Sequence, residues 1–227
     1  MLFSNDNIAR LVNDGFEPAW QSVRPVPLVT IDFGSGHKAT RTLHGNIATY
    51  ICTPSGYVVD VLPGLYSPDV FLMRLQQLMQ VAGTAPKSPT DFAGWLAKRH
   101  ARQAPKQSGA KKARRDASKT VVIELPLILA LKGFAPEPPA DVAKQLESKE
   151  ELTVWKALVA ETQANDTQRR SQISEFLGTS GPIPPAAMTK WLYREVLGAD
   201  IDDPWLGLKE LAQAQVFNQV ETPTLQQ

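Results

Sequence analysis

The chain contains one cysteine, Cys52, and three scattered histidines, His37, His44 and His100. A single thiol excludes an internal disulfide, and with three separated imidazoles it argues against a Cys/His zinc cage, which needs several such ligands at close spacing. Long apolar runs are lacking too. The longest, Val121 to Leu131, is interrupted by Glu124 and Pro126 and falls far short of the roughly 20 residues a membrane-spanning helix needs. Around Met1 there is neither a basic n-region nor an apolar h-region, only Ser4, Asn5, Asp6 and Asn7. No secretory signal is therefore expected, no membrane partner, and the expected address is the cytoplasm. An excess of charge of one sign is also missing, the net charge being +1 over 227 residues. That balance conceals an asymmetry. Ten basic residues against Asp91 and Asp116 lie between Lys87 and Lys119, leaving fourteen basic and twenty-one acidic residues elsewhere. Such a segment reads as a linker or as an anion-binding stretch.

Three regions follow from what is present. Residues 1–82 form a first unit. Ser4 or Asn5 caps a helix with Ile8, Leu11 and Val12 on its apolar side, and Gly15 sits where a helix ends in the left-handed conformation. Phe16 to Val23 and Leu28 to Phe33 read as strands, restricted to edges or ends by Pro18, Pro25 and Pro27. A hairpin follows: Ile47 to Cys52, a Thr53-Pro54-Ser55-Gly56 turn, and Tyr57 to Leu62, with Pro54 presetting φ and Gly56 tolerating a positive φ. Ser67 and Pro68 then open a strongly apolar helix with Val70, Phe71, Leu72, Leu75, Leu78 and Met79. Residues 83–118 read as a basic linker, with Phe92 to Leu96 as a short amphipathic piece. Residues 119–227 read as a helical domain. Val121 to Leu131 is a buried helix or strand; a long helix spans Glu150 to Leu177 and ends at Gly178 or Gly181; another follows Pro184-Pro185 and stops at Gly198; a fourth starts at Asp203-Pro204.

Two stretches of the first unit, "SNDNIARLVNDGFEPAWQSV" and "GNIATYICTPSGYVVDVLPG", resemble the later part of a thioredoxin-like domain. The first is similar to that family's helix and next strand, the second to its Gly-Thr-Pro-Thr strand, Asp-Pro-Asp-Gly turn and the strand ending in Gly. The resemblance implies an α/β fold: an incomplete thioredoxin-like N-terminal unit followed by a mainly α-helical C-terminal domain. Ile47 stands where the family has a cis-proline, and an ordinary trans peptide is expected there. The family's first strand and Cys-x-x-Cys precede the first helix, ahead of Met1, so neither thiol of a dithiol exchange is present. Three fillings of the central-strand place are expected in turn: a longer natural chain, insertion of Val121 to Ile128, or a rearranged fold paired with another chain.

The remaining motifs have plain explanations. Cys52 shares a strand face with Tyr50 and reads as a buried, inert thiol. Asp32-Phe33-Gly34 lacks the accompanying kinase motifs and reads as a turn. His37 and His44 read as residues of a solvated loop. Asp200, Asp202 and Asp203, with Glu195 one turn earlier, are oxygen ligands of the kind that hold Ca²⁺ or Mg²⁺, but the loop lacks the glycine and terminal glutamate of a calcium hand, and capping of the next helix explains Asp203. Arg169 and Arg170 read as partners in intrahelical ion pairs. Tyr193 and its neighbours in "WLYREVL" read as core.

The expected function is therefore a non-catalytic thioredoxin-like binding or scaffold protein with a protein partner, and no cofactor, metal ligand or catalytic residue is nominated. One alternative is a thiol-disulfide oxidoreductase whose Cys-x-x-Cys lies upstream of Met1. Another is a polyanion or nucleic-acid binder whose contacts are Lys98, Arg99, Arg102, Lys106, Lys111, Lys112, Arg114 and Arg115.

Overall fold

A computed structural model describes residues 2–25, 28–32, 36, 38–42, 47–103 and 149–204. Among these the fold is mostly helical, with two separate two-stranded antiparallel sheets. A short 3₁₀ turn, Leu2–Ser4, leads into α1 (Asp6–Gly15). Asn5 caps α1, its side chain accepting from the amides of Asn7 and Ile8 at 3.1 and 3.3 Å, which satisfies two of the donors left free at a helix start. Ile8 is the buried residue of α1, and Leu11 and Val12 pack beside it. Gly15 is not left-handed, contrary to expectation: positive φ occurs at five other glycines. Its lack of a side chain serves a close helix contact instead, since a Cβ there would lie 2.6 Å from the sulfur of Met79.

The expected strand from Phe16 to Val23 does not form. The stretch carries no regular element, and Trp20 is 89% exposed; a strand needs a partner for its backbone groups, and Pro18 removes one donor. Arg24 ties the end of this segment down by donating to the carbonyls of Asp200, Ile201 and Asp203 at 3.0–3.3 Å. Strand β1 (Leu28–Asp32) pairs with β2 (Lys38–Thr42) from Leu28↔Thr42 to Asp32↔Lys38. The second of these was expected as part of a polar loop; cross-strand pairing overrides its polar composition.

The second sheet is the expected hairpin. Strand β3 (Ala48–Cys52) pairs with β4 (Val58–Pro63), with a register shift at Ile51/Cys52. Its turn closes by Gly56 N–H donating to the Thr53 carbonyl at 2.9 Å, with Gly56 at φ 81°. Every residue of β4 is buried. Leu62 joins Ile8, Phe71, Leu75 and Leu78 under α1 and α2 (Pro68–Gly83). Val59 packs with Phe92 and Leu96 of α3 (Pro89–Ala101). This helix lies inside the expected linker 83–118. Phe92, Leu96 and His100 are spaced four apart and all buried, so one face of the segment is core despite its proline- and lysine-rich composition.

Among the described C-terminal residues, α4 (Lys149–Ala164) passes through a π turn at Asn165–Arg169 into α5 (Arg170–Ser180). It ends at Gly181, φ 71°, three residues beyond Gly178. Then α6 (Pro185–Trp191) runs into a second π turn, Leu192–Val196, and stops at Gly198, φ 66°. Ile173, Leu177, Met188 and Leu192 form one cluster with Val58 and Val61 of β4. The expected units 1–82 and 119–227 therefore share a core. The amide of Val58 donates to the Ile183 carbonyl at 2.9 Å, so the inter-helix loop occupies part of the hairpin's open edge. The segment Val121 to Leu131, residues 205 onward of the helix expected to start at Asp203-Pro204, and residues 104–118 lie outside the described residues.

Candidate functional site

Strand β4 reads Val58-Val59-Asp60-Val61-Leu62-Pro63, an apolar run broken by one carboxylate. Asp60 is 1% exposed, a position that demands partners. Its Oδ1 accepts the Val61 amide at 2.8 Å. Its Oδ2 accepts from Arg170 Nη2 at 2.8 Å and from Arg99 Nη2 at 3.4 Å. Arg170 extends the network through Nη1 to Asp166 Oδ1 at 3.4 Å. Arg74 holds Asp166 with a two-pronged contact, Nε to Oδ1 at 2.8 Å and Nη2 to Oδ2, and its Nη1 reaches Gln77 at 2.8 Å. Burial alone would lower the pKa of Arg170; Asp60, with Tyr66 and Asp166, outweighs it and holds the guanidinium firmly charged.

His100 borders the network. Its Nε2–H donates to the Val59 carbonyl at 3.0 Å. Burial pushes its pKa below the ordinary value against the pull of Asp60, so the ring is neutral at pH 7. Tyr66 is raised by burial and stays protonated. Among the described residues, the buried side-chain polar atoms without a hydrogen-bond partner are Tyr66 Oη, Arg99 Nε, His100 Nδ1 and Arg170 Nε. All four belong to this one cluster around Asp60, whereas buried polar groups in folded proteins are ordinarily satisfied.

Above the network lies a cleft of about 360 Å³ between α2, α3 and the α4–α5 junction. Arg74 and Gln77 line it from α2, Arg99 and Gln103 from the end of α3, and Asp166, Thr167, Arg170, Ser171 and Ser174 from the π turn and α5. The π turn widens the helix where Asp166 and Thr167 enter the wall, a distortion often found at functional sites. It also turns Asn165 inward, where Nδ2 donates to the Leu65 carbonyl at 2.6 Å. Three guanidiniums answer two carboxylates, Asp60 and Asp166, so the network beside the cleft carries one positive charge in excess. Such an arrangement recognises anions through charge-assisted hydrogen bonds.

Of the expected polyanion contacts, Arg99 is drawn into the cleft, while Lys98 and Arg102 are exposed at the end of α3. Lys106, Lys111, Lys112, Arg114 and Arg115 lie outside the described residues, as do His37, His44, Phe33 and Gly34. Arg170 departs from expectation: its nearer partner is Asp60 on β4, and the intrahelical Asp166 is the more distant one. Arg169 contacts Glu161 and Asn165 across the π turn. Cys52 is half-buried, its thiol pushed up by burial, and it packs with Tyr50 against the C-terminal cluster. Asp200 pairs with Arg194 at 2.9 Å and Asp202 with Lys190 at 3.0 Å. Leu192, Tyr193 and Val196 are buried, and Trp191 stacks on Phe176 with ring centroids 3.9 Å apart. Asp60, Arg74 and Arg170 were not expected as site residues; the one sequence signal was a lone carboxylate in an apolar strand. No family model, curated protein or solved structure is a significant match to the chain.

Proposed function

We propose that the protein is a non-catalytic binding or scaffold protein, thioredoxin-like in its N-terminal unit, that recognises anionic groups at the arginine-lined cleft. The observation that carries this reading is the excess of guanidinium over carboxylate in one concave site, lined by Arg74, Arg99 and Arg170. The hairpin β3–β4 leading into α2 supports the thioredoxin-like part, whereas α1 is followed by a separate hairpin, β1–β2, in place of the single strand that the resemblance implies. The half-buried Cys52, raised above its ordinary pKa, favours a binding role over thiol chemistry. The polyanion reading keeps one specific support, the exposed Lys98 and Arg102 beside the cleft.

Thermal unfolding tests the reading at constant ionic strength, exchanging chloride for phosphate, acetate or malonate. At least one oxyanion should raise the Tm of the wild type more than that of R99Q, because a ligand that binds only the folded state stabilises it by mass action. Identical shifts in both proteins, or none, would overturn it. Steep loss of oligonucleotide binding with salt would instead support the polyanion reading.

A further inference from the structure

We infer that the cleft binds a single phosphoryl group, as free phosphate or as a phosphomonoester, with Arg99 as the residue that turns to grip it. The inference rests on the reading of the cleft as an anion site and adds the class of ligand. Arg99 makes one polar contact among the described residues, to Asp60 at 3.4 Å, and its Nε has no partner. That contact is at the outer limit for a hydrogen bond, so Arg99 loses little by reorienting. Arg170 is the opposite case. Asp60 holds it at 2.8 Å, which fixes its direction while its Nε stays unpartnered.

The geometry favours a tetrahedral anion. Polar side chains line the cleft on three sides, Arg74 from α2, Arg99 from α3, and Arg170 with Ser171 from α5. A planar carboxylate has two oxygens and is satisfied by one guanidinium fork; a phosphoryl group presents three oxygens in three directions. Size points the same way, because about 360 Å³ lies at the low end of small-molecule sites and is too small for a nucleic-acid helix. So does charge: a phosphoryl group carries about −1.5 to −2 at pH 7, opposite to the excess of the site. Two features oppose an anion. The Asp166 carboxylate faces the cleft, but both its oxygens accept from Arg74 and one from Arg170. The C-terminal end of α3 is the negative pole of that helix, and Lys98 and Arg99 in its last turn offset it.

Titration calorimetry of the full chain with inorganic phosphate, phenyl phosphate and benzoate tests the inference. Saturable one-to-one binding of phosphate or phenyl phosphate is expected, at least about tenfold tighter than benzoate and weakened at least about tenfold in R99Q, as expected for loss of a charged hydrogen bond. Equal affinity for the two phosphates assigns the free ion, tighter phenyl phosphate assigns the ester, and either supports the inference. Benzoate binding as tightly as phenyl phosphate would overturn the phosphoryl assignment and leave the anion reading standing. No binding by any of the three, with no Tm shift by any oxyanion, would overturn both. S171A provides a second test on an intact charge network, expected to weaken phosphate binding; unchanged affinity in both R99Q and S171A would move the ligand out of this cleft. K190Q, on the remote Lys190–Asp202 pair, should bind as the wild type does.

Discussion

Replacing Asp60 with asparagine tests the charge network at its centre. The two side chains have nearly the same shape, so packing is kept while the charge is lost. Oδ2 of Asp60 receives Arg170 at 2.8 Å and Arg99 at 3.4 Å, with side-chain exposures of 1, 11 and 17%. An asparagine offers one oxygen where the carboxylate offers two. Either the Val61 amide or Arg170 loses its acceptor, and the new NH₂ faces a guanidinium. Removing one partner of a buried pair typically costs about 3–5 kcal/mol, because the other charge remains buried and uncompensated. Asp166 retains part of the compensation for Arg170, which places D60N near the lower value. A loss of about 3 kcal/mol raises the unfolded fraction by about two orders of magnitude and consumes much of the 5–15 kcal/mol typical of a domain. Urea unfolding at pH 7, followed by circular dichroism, reads this as a lower midpoint with an unchanged slope. As a control, D202N breaks the exposed Lys190–Asp202 pair and should cost less than about 1 kcal/mol. A D60N loss as small as that of D202N would refute the reasoning.

Three further outcomes follow from the same contacts. Because His100 is held neutral below its ordinary 6.5, its contribution is fully present above about pH 6.5 and is lost as pH falls from there toward the folded-state pKa, by up to about 1.4 kcal/mol per pH unit. H100Q keeps a donor for the Val59 carbonyl and should flatten that part of the stability profile between pH 7 and 5; superimposable profiles would refute it. L177A empties a fully buried position in the core shared by β4 and the C-terminal helices; it should cost about 2–5 kcal/mol in one cooperative transition, and two separate transitions would contradict a shared core. Cys52, half-buried with its thiol pushed up, should react slowly with Ellman's reagent at pH 8 in the native protein and rapidly in urea; equal rates would refute its shielding.

What was legible in the sequence was local. The Asn5 cap, the Pro54–Gly56 turn and the Pro68 helix start each depend on a few neighbouring residues, and each is found where the residues put it. Pairing partners are not local. Phe16 to Val23 had strand-like residues but no strand beside it, whereas Lys38–Thr42 looked like a loop and found β1. Helix α3 was obscured by composition, because its Pro, Lys and Arg residues suggested a linker while Phe92, Leu96 and His100 quietly marked a buried face. The cleft was hidden by separation. Its charged lining residues, Arg74, Arg99, Asp166 and Arg170, and the buried Asp60 that holds two of them lie far apart in the chain, and for Arg170 the sequence offered a sufficient local partner four residues away. Only the fold brings Asp60 nearer than that partner.

The distinction between stability and binding can be drawn on these same residues. Buried ion pairs are weak evidence for stability, since well-packed apolar residues of similar volume often serve as well or better. If the charges around Asp60 exist to aim Arg170 and Arg99 into the cleft, replacing the set should separate the two roles. The triple variant D60L/R99M/R170M removes the buried carboxylate together with both guanidiniums that answer it, and leaves Asp166 paired with Arg74. No uncompensated buried charge remains, although the Val61 amide loses its acceptor, so its urea midpoint should return part of the way from that of D60N toward the wild type, while phosphate no longer binds. A triple variant less stable than D60N would mean that the network holds the fold together in its own right. In that case the orientation of the arginines would need no ligand to explain it.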